Sequence, residues 1–119
     1  MRPLTHDTLR GNWATLLLAT DRRGEIDFSR QSDEIDVLIA SKPDGIYSNG
    51  TAGEFYSQNR DEFLRISRLL AEKCEAAGTA FQIGVSHPCA QESLARLQLV
   101  RGLKPGAIPV SYTHLTLPT

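Results

Sequence analysis

Short apolar runs alternate with longer amphipathic segments along this chain, and the alternation predicts strands that alternate with helices. The runs are residues 12–18, 44–50 and 80–85, and a further run begins at residues 106–109. The first run is apolar without alternation, which is typical of a strand that is buried on both faces. Strands separated by helices form parallel βα units with the helices outside the sheet. The pattern therefore predicts an α/β fold with a parallel sheet.

The segments between the apolar runs carry start and stop signals of helices. Asp27 can cap a first helix, which is expected to end near Ser41 because Pro43 disfavours helical geometry at Lys42. Asn59 and Glu62 have the spacing of a capping box, and Gly78 follows the second helix as a left-handed exit residue. A third helix is predicted over about residues 88–103. In chain order, the predicted apolar faces are Ile35, Leu38 and Ile39, then Phe63, Ile66, Leu70 and Ala77, then Leu94, Leu97 and Val100 or Arg101.

The composition is that of an ordinary domain of a single chain. Of 119 residues, 40% are hydrophobic, and 13 basic against 14 acidic residues give a net charge of −1. This balance provides no electrostatic attraction to nucleic acid or anionic lipid. The longest apolar stretch, residues 13–19, is far shorter than a membrane-spanning helix, and the N-terminus lacks the order of a signal peptide. We therefore expect one domain, no nucleic-acid or membrane partner, and a cytoplasmic location.

The two cysteines, Cys74 and Cys89, are too few for a disulfide-stapled secreted scaffold. We expect reduced thiols in a cytosol. Only His87 lies near Cys89, whereas zinc sites require several soft or imidazole ligands at close spacing. The sequence therefore predicts neither a metal site nor a cofactor.

The last ten residues, 110–119, do not continue the pattern of strands and helices. Their back-translation resembles the transposase adaptor of shotgun sequencing libraries, read in frame. We therefore predict that residues 1–109 form the domain and that residues 110–119 are a non-native tail. The alternative is a natural fourth strand that ends in a loop.

A glycine-flanked hydroxyl follows the second predicted strand, in the order Gly50-Thr51-Ala52-Gly53. The carboxyl ends of parallel strands are where barrel active sites are assembled. Gly50 and Gly53 would let the backbone approach a ligand and can adopt positive φ, so the N–H groups of Thr51 and Ala52 could form a small anion pocket. Such a pocket suits the carboxylate of a 2-oxo acid. The alternative is a simple strand-to-helix turn in which Thr51 satisfies its own backbone.

Four segments in order resemble the N-terminal part of the dihydrodipicolinate synthase and N-acetylneuraminate lyase family. They are residues 11–17 (GNWATLL), 24–27 (GEID), 44–56 (DGIYSNGTAGEFY) and 84–87 (GVSH). The family consists of Schiff-base aldolases built on a (β/α)8 TIM barrel. The resemblance implies that this chain holds the first three βα units and the start of strand four, an incomplete barrel.

The resemblance also implies roles for individual residues. Thr51 matches the first hydroxyl of the family's G-T-T-G-E motif, which lies in a proton relay between two tyrosines. The second hydroxyl and its N–H hold the substrate carboxylate, and here that position is Ala52. The N–H contact would remain, but the lost hydroxyl contact is worth about 0.5–1.5 kcal/mol for an ordinary hydrogen bond and more for a charged partner. Glu54 and His87 are expected in supporting roles, Glu54 by accepting N–H groups of the loop and His87 either near substrate or bonded to backbone.

The family's nucleophilic lysine lies on strand six and its relay tyrosines follow strands four and five. The lysines present, Lys42, Lys73 and Lys104, are expected to lie far from the catalytic mouth. A full barrel needs about 200 to 400 residues, so we expect this chain to be an inactive fragment.

The parent is then expected to be a lyase that adds or removes pyruvate, or another 2-oxo acid, at an aldehyde carbon. Its partners would be these small molecules and, by the resemblance, further copies of itself in a tetramer. Two alternatives remain open. One is a sugar-acid dehydratase of the same family, and the other is a non-catalytic barrel that binds an oxo acid.

Overall fold

The computed structural model describes residues 1–111, in which strands and helices alternate as the apolar runs predict. Most of the predicted tail, residues 112–119, lies outside the described residues. Two single 3-10 turns, Phe55–Ser57 and Arg101–Leu103, occur among the described residues. The regular elements are β1 (Trp13–Thr15), α1 (Phe28–Ala40), β2 (Gly45–Ser48), α2 (Arg60–Ala77), β3 (Phe81–Ile83) and α3 (Ala90–Val100).

The strands form one parallel sheet in the order β1-β2-β3. Ile46 in β2 is paired with Ala14 on one side and Phe81 on the other. Beyond β3, a parallel bridge joins Gln82 to Ala107, and the Ala107 carbonyl accepts a hydrogen bond from Ile83 N–H at 3.4 Å. The start of a fourth strand therefore lies where the sequence predicts it. The fold is α/β, with neighbouring parallel strands.

The two faces of the sheet differ in burial. Ile46, Phe81 and Ile83 point toward the helices and are fully buried in the core, which α2 joins by packing between α1 and α3. Tyr47 and Gln82 alternate with them and stand on the opposite face, where they are half-buried. In a closed barrel this opposite face points into the interior. The described residues thus form three βα units with the outer face covered.

Local capping explains why the helices begin and end where they do. The Asp27 side chain accepts a hydrogen bond from Arg30 N–H at 3.1 Å at the start of α1. Asn59 and Glu62 form the predicted capping box of α2, and Gly78 ends that helix with φ of 70°. Each of these signals acts within a few residues, so sequence spacing alone predicts it.

Three details of the predicted strands and helices are wrong. The first strand is only Trp13–Thr15, and Leu17 is 53% exposed rather than buried on both faces. In α3 the predicted apolar residue Leu94 is exposed, as is Ala77 at the end of α2. The buried positions of α3 include Ser93 and Arg96, because Ser93 Oγ donates to the Val85 carbonyl at 2.6 Å and Arg96 binds backbone carbonyls.

None of the helices in residues 1–111 has the length and apolar character needed to cross a membrane.

Candidate functional site

The segments that follow the three strands meet at one edge of the sheet, which we call the carboxyl edge. Gly84 N–H, after β3, donates to the Ser48 carbonyl at the end of β2 at 2.9 Å. A Cβ on Gly53 would lie 3.0 Å from the Leu16 carbonyl after β1. These contacts place the residues after β2, including Thr51, at the carboxyl edge between the residues that follow β1 and β3.

The β2–α2 loop, residues 49–59, exposes two backbone donors at this edge. Thr51 and Ala52 are exposed, and within residues 1–111 their N–H groups donate to no partner. The Thr51 carbonyl accepts a hydrogen bond from Glu54 N–H at 3.1 Å, which closes the turn. Two adjacent unpaired N–H groups form a small electropositive surface of the kind that binds anions.

The glycines of the loop do not have the positive φ expected of them. Positive φ occurs instead at Asn49 (59°) and Glu54 (53°), the residues on either side of the glycine-flanked turn. A Cβ on Gly50 would lie 2.5 Å from the outer end of the Tyr47 ring, so a side chain there would displace this ring. Gly53 lacks room because of the Leu16 carbonyl and the Asn49 N–H, 3.0 and 3.1 Å from such a Cβ. The two glycines therefore serve close packing rather than an unusual backbone conformation.

The loop is anchored by side chains that the sequence analysis did not single out. Gln58 Nε2 donates to the Gly53 carbonyl at 3.0 Å. Arg96 of α3 donates to the Phe55 carbonyl at 3.3 Å and to the Gln58 carbonyl at 2.8 Å. The expected positioning contact of Glu54 is absent, since its carboxylate accepts no hydrogen bond from residues 1–111. A signal for Arg96 existed, because it occupies the inward-facing helical spacing between Ser93 and Val100.

Arg96 belongs to a small charge cluster beside the loop. Glu92 accepts hydrogen bonds from Arg60 Nη2 at 2.6 Å and from Arg96 Nε at 3.3 Å. The Arg60 hydrogen bond, with help from Arg96, lowers the pKa of Glu92 to about 2 against an opposing effect of desolvation. One carboxylate thus serves two guanidinium groups, which leaves the cluster with a net positive charge.

Side chains of α1 hold the segment after β1 in place. Gln31 is fully buried, and its amide donates to the Leu17 carbonyl and accepts from Ala19 N–H, both at 2.8 Å. Glu34 accepts a hydrogen bond from Leu17 N–H at 2.9 Å. Burial raises the pKa of Glu34, although the hydrogen bonds from Leu17 and Gln31 oppose this. These contacts end β1 early, which is why the first strand is shorter than predicted.

His87 and the cysteines have structural surroundings. His87 follows β3 at the carboxyl edge, and its Nδ1 accepts a hydrogen bond from Cys89 N–H at 3.0 Å, the backbone-bonded alternative. Cys89 is exposed and Cys74 is buried, both as free thiols. Burial raises the pKa of Cys74 to about 12, so this thiol stays protonated and unreactive. Residues 1–111 contain no group of three or more side chains suited to hold a metal ion.

The three lysines lie away from Thr51. Lys42 precedes β2 and Lys104 precedes the fourth-strand segment, so both lie at the opposite, amino edge of the sheet. Lys73 Nζ pairs with Asp36 at 2.6 Å, in the helical layer formed by α1 and α2.

Parallel βα units with a loop site at the carboxyl edge are the building units of a (β/α)8 barrel. The sequence profile of the Dihydrodipicolinate synthetase family matches residues 8–85. The chain therefore belongs to the dihydrodipicolinate synthetase family. A search of curated protein sequences found no match.

Solved structures share this fold at low sequence identity. Dihydrodipicolinate synthase from Rhodopseudomonas palustris matches with a TM-score of 0.81 and 16% identity, over 92% of this chain and 36% of that one. CdNal from Clostridium difficile, solved in complex with mannosamine, matches with 0.79 and 23%, over 86% and 35%. YagE, a prophage protein of the dihydrodipicolinic acid synthase family from E. coli K12 solved in complex with pyruvate, matches with 0.78 and 22%, over 91% and 37%. The chain thus spans little more than a third of these structures.

Proposed function

We propose that the protein is a cytosolic Schiff-base aldolase or lyase that acts on pyruvate or another 2-oxo acid. Residues 1–109 would supply the first three βα units and the start of strand four. The observation that carries this proposal is that the N–H groups of Thr51 and Ala52, at the carboxyl edge, have no hydrogen-bond acceptor within residues 1–111. Family membership supports it, as does the pyruvate bound to the structurally similar YagE.

The substrate carboxylate would accept hydrogen bonds from the N–H groups of Thr51 and Ala52. Hydrogen bonds to an ionised group are shorter and stronger than neutral ones, so two backbone donors suffice to orient a small anion. Because Gly50 and Gly53 have no side chains, the backbone on either side of Thr51 and Ala52 would remain open to the ligand. The Thr51 hydroxyl, which is exposed at the same turn, would pass protons during formation and breakage of the imine.

The hydroxyl-free position Ala52 favours a substrate other than that of the lysine-pathway synthase. With only an N–H at this position, the carboxylate would be held less tightly, and the rest of the substrate would have to supply the missing affinity.

Glu54 and His87 follow the ends of β2 and β3 closely enough in the chain to shape the site, and we propose no proton-transfer role for either. The second substrate would be an aldehyde.

The 119-residue chain alone is proposed to be inactive. A Schiff base needs an amine of lowered pKa in a dry pocket, and Lys42, Lys73 and Lys104 all lie elsewhere. The nucleophile and the relay tyrosines would come from later βα units of the whole protein, which we propose to be a tetramer.

Borohydride trapping tests the proposed chemistry. A lysine amine adds to the carbonyl of pyruvate and loses water, and borohydride then reduces the imine to a stable secondary amine. With labelled pyruvate, we expect label on a form that extends through the later βα units and none on the 119-residue chain. Label on the shorter chain would refute this account of the nucleophile, and an unlabelled longer form would favour a non-catalytic barrel.

Anion binding is tested separately on the 119-residue chain. In NMR spectra of the 15N-labelled chain, pyruvate should shift the amide signals of Thr51 and Ala52 more than those of the buried core. Methyl pyruvate, which lacks the carboxylate charge, is the matched control and should leave these signals in place. Equal shifts with both ligands would contradict recognition of the carboxylate.

A further inference from the structure

Arg96 is a buried cation that the proposed chemistry does not use. The residue is only 3% exposed, although a charged side chain is costly to bury without partners. Its guanidinium lies over the Phe63 ring at 4.9 Å, and Nε binds Glu92 at 3.3 Å. The remaining nitrogens, Nη1 and Nη2, point toward the β2–α2 loop.

Both of these nitrogens donate hydrogen bonds to backbone carbonyls of that loop. Nη1 donates to Phe55 at 3.3 Å and Nη2 donates to Gln58 at 2.8 Å. The Gln58 side chain in turn donates to the Gly53 carbonyl at 3.0 Å. Hydrogen bonds through Gln58 therefore connect α3 to the peptide unit between Gly53 and Glu54, next to the Thr51–Ala52 turn.

The geometry points to Arg96 as the positioning residue of the anion-binding turn. It holds the second half of the β2–α2 loop, and through Gln58 it fixes the direction in which the N–H groups of Thr51 and Ala52 point. This inference rests on the proposed function. It adds that the orientation of the site depends on a side chain of the third βα unit, which touches no substrate.

The loop needs such an anchor because it has little regular structure of its own. Between β2 and α2 its only regular piece is the 3-10 turn Phe55–Ser57. Asn49 and Glu54 both lie in the left-handed region, which costs a non-glycine residue conformational energy. Glu92 contributes to this anchor, since it accepts the Nε hydrogen bond of Arg96 and so directs the other two nitrogens of Arg96 toward the loop.

Three variants of the 119-residue chain separate this role from general stabilisation. Arg96→Met keeps the apolar stem against Phe63 but removes the hydrogen bonds and the charge. Arg96→Lys keeps the charge but has a single nitrogen in place of the three with which Arg96 binds Glu92, Phe55 and Gln58. Arg60→Met is the matched control, because it removes an arginine from the same Glu92 without touching the loop.

Amide hydrogen exchange is the first measurement. The N–H groups of Glu54, Ser57 and Gln58 are hydrogen-bonded within the loop, so their exchange reports its order. In Arg96→Met we expect exchange at these amides to rise by at least about tenfold while amides in the middle of α2, such as Leu70, are unchanged. Arg96→Lys should give an intermediate rise and Arg60→Met almost none. Unchanged loop exchange, or equal acceleration throughout the chain, would overturn the inference.

Pyruvate binding is the second measurement, followed through the Thr51 and Ala52 amide signals. Loss of pre-organisation in Arg96→Met should weaken pyruvate binding by about tenfold, whereas Arg60→Met should bind with nearly the affinity of the unmodified chain. A loosened loop that still binds pyruvate with unchanged affinity would overturn the positioning role. If the unmodified 119-residue chain binds no pyruvate, the proposed carboxylate site is contradicted, whereas the exchange data still decide whether Arg96 orders the loop.

Discussion

Glycines at the carboxyl edge act by leaving room for neighbouring backbone and rings. Gly84 is the tightest case against backbone, since a Cβ there would lie 2.8 Å from the Asn49 carbonyl and 2.9 Å from that of Ser48. Backbone atoms held in a sheet cannot move aside as the end of a flexible side chain can. The junction between the ends of β2 and β3 therefore depends on the absence of a side chain at this position.

Gly84→Ala should lower the free energy of unfolding by about 1–3 kcal/mol, because overpacking forces strands apart. Urea denaturation measures this loss. Gly102→Ala is the matched control, since nothing lies within 4 Å of its added Cβ, and it should be neutral or slightly stabilising. Equal midpoints for the two variants would contradict the packing argument.

Ala52→Thr should strengthen pyruvate binding. A restored hydroxyl adds one hydrogen bond to the charged carboxylate, worth about 1.5–3 kcal/mol, or about ten- to 150-fold in affinity. Isothermal titration calorimetry or the amide shifts measure it. Ala52→Val has nearly the same shape without the hydroxyl, so an equal gain in Val and Thr would show that the hydroxyl is not responsible.

Between elements, hydrogen bonds from helix side chains decide where the loops of the carboxyl edge lie. Gln31 and Glu34 of α1 bind the backbone that follows β1, and Arg96 of α3 binds the backbone that follows β2. α1 thus holds the loop that leads into it, whereas α3 holds the loop between β2 and α2. The carboxyl edge therefore depends on the packing of both helices.

The ion pairs of Glu92, with Arg60 of α2 and with Arg96 of α3, should give a defined pH dependence. The pKa of Glu92 is lowered from 4.5 to about 2, so its contribution to stability is present above pH 4.5 and lost as the pH falls toward about 2. Thermal melts of the parent chain and Glu92→Gln should therefore differ at neutral pH and converge near pH 2.

Glu34→Gln supplies a control of opposite sign. Burial raises the pKa of Glu34, so its contribution is present at low pH and is lost as the pH rises through the raised pKa. The glutamine variant should match the parent chain in acid and be at least as stable at neutral pH. Parallel pH profiles for the two variants would contradict the assigned directions.

At the scale of the whole molecule, the described residues leave sheet surface unpaired. Within residues 1–111, β1 pairs with β2 alone, and the segment that begins the fourth strand pairs with β3 on one side. The sheet face that carries Tyr47 and Gln82 is only half-buried. Free strand edges and half-buried faces favour association with other chains.

The 119-residue chain should therefore associate in a concentration-dependent manner. Sedimentation velocity over a range of concentrations should show species larger than the monomer, and association should strengthen as the concentration rises. A monodisperse monomer that melts cooperatively at all concentrations would contradict this expectation.

The amino-acid sequence by itself determined the order of the elements, the caps of α1 and α2, the parallel sheet and the place of Thr51. These features depend on signals a few residues apart or on the alternation of apolar runs, and both are visible in a linear pattern. The family motifs agree with them.

Only the tertiary structure decided how far β1 extends, which face of α3 is buried and what holds the β2–α2 loop. Arg96 and the two carbonyls that it binds are 41 and 38 residues apart in the chain. No local pattern predicts a hydrogen bond over such a separation, because the partners meet only after α2 and α3 have packed on the sheet. The short first strand and the tightly packed glycines likewise depend on contacts between residues that are distant in the chain.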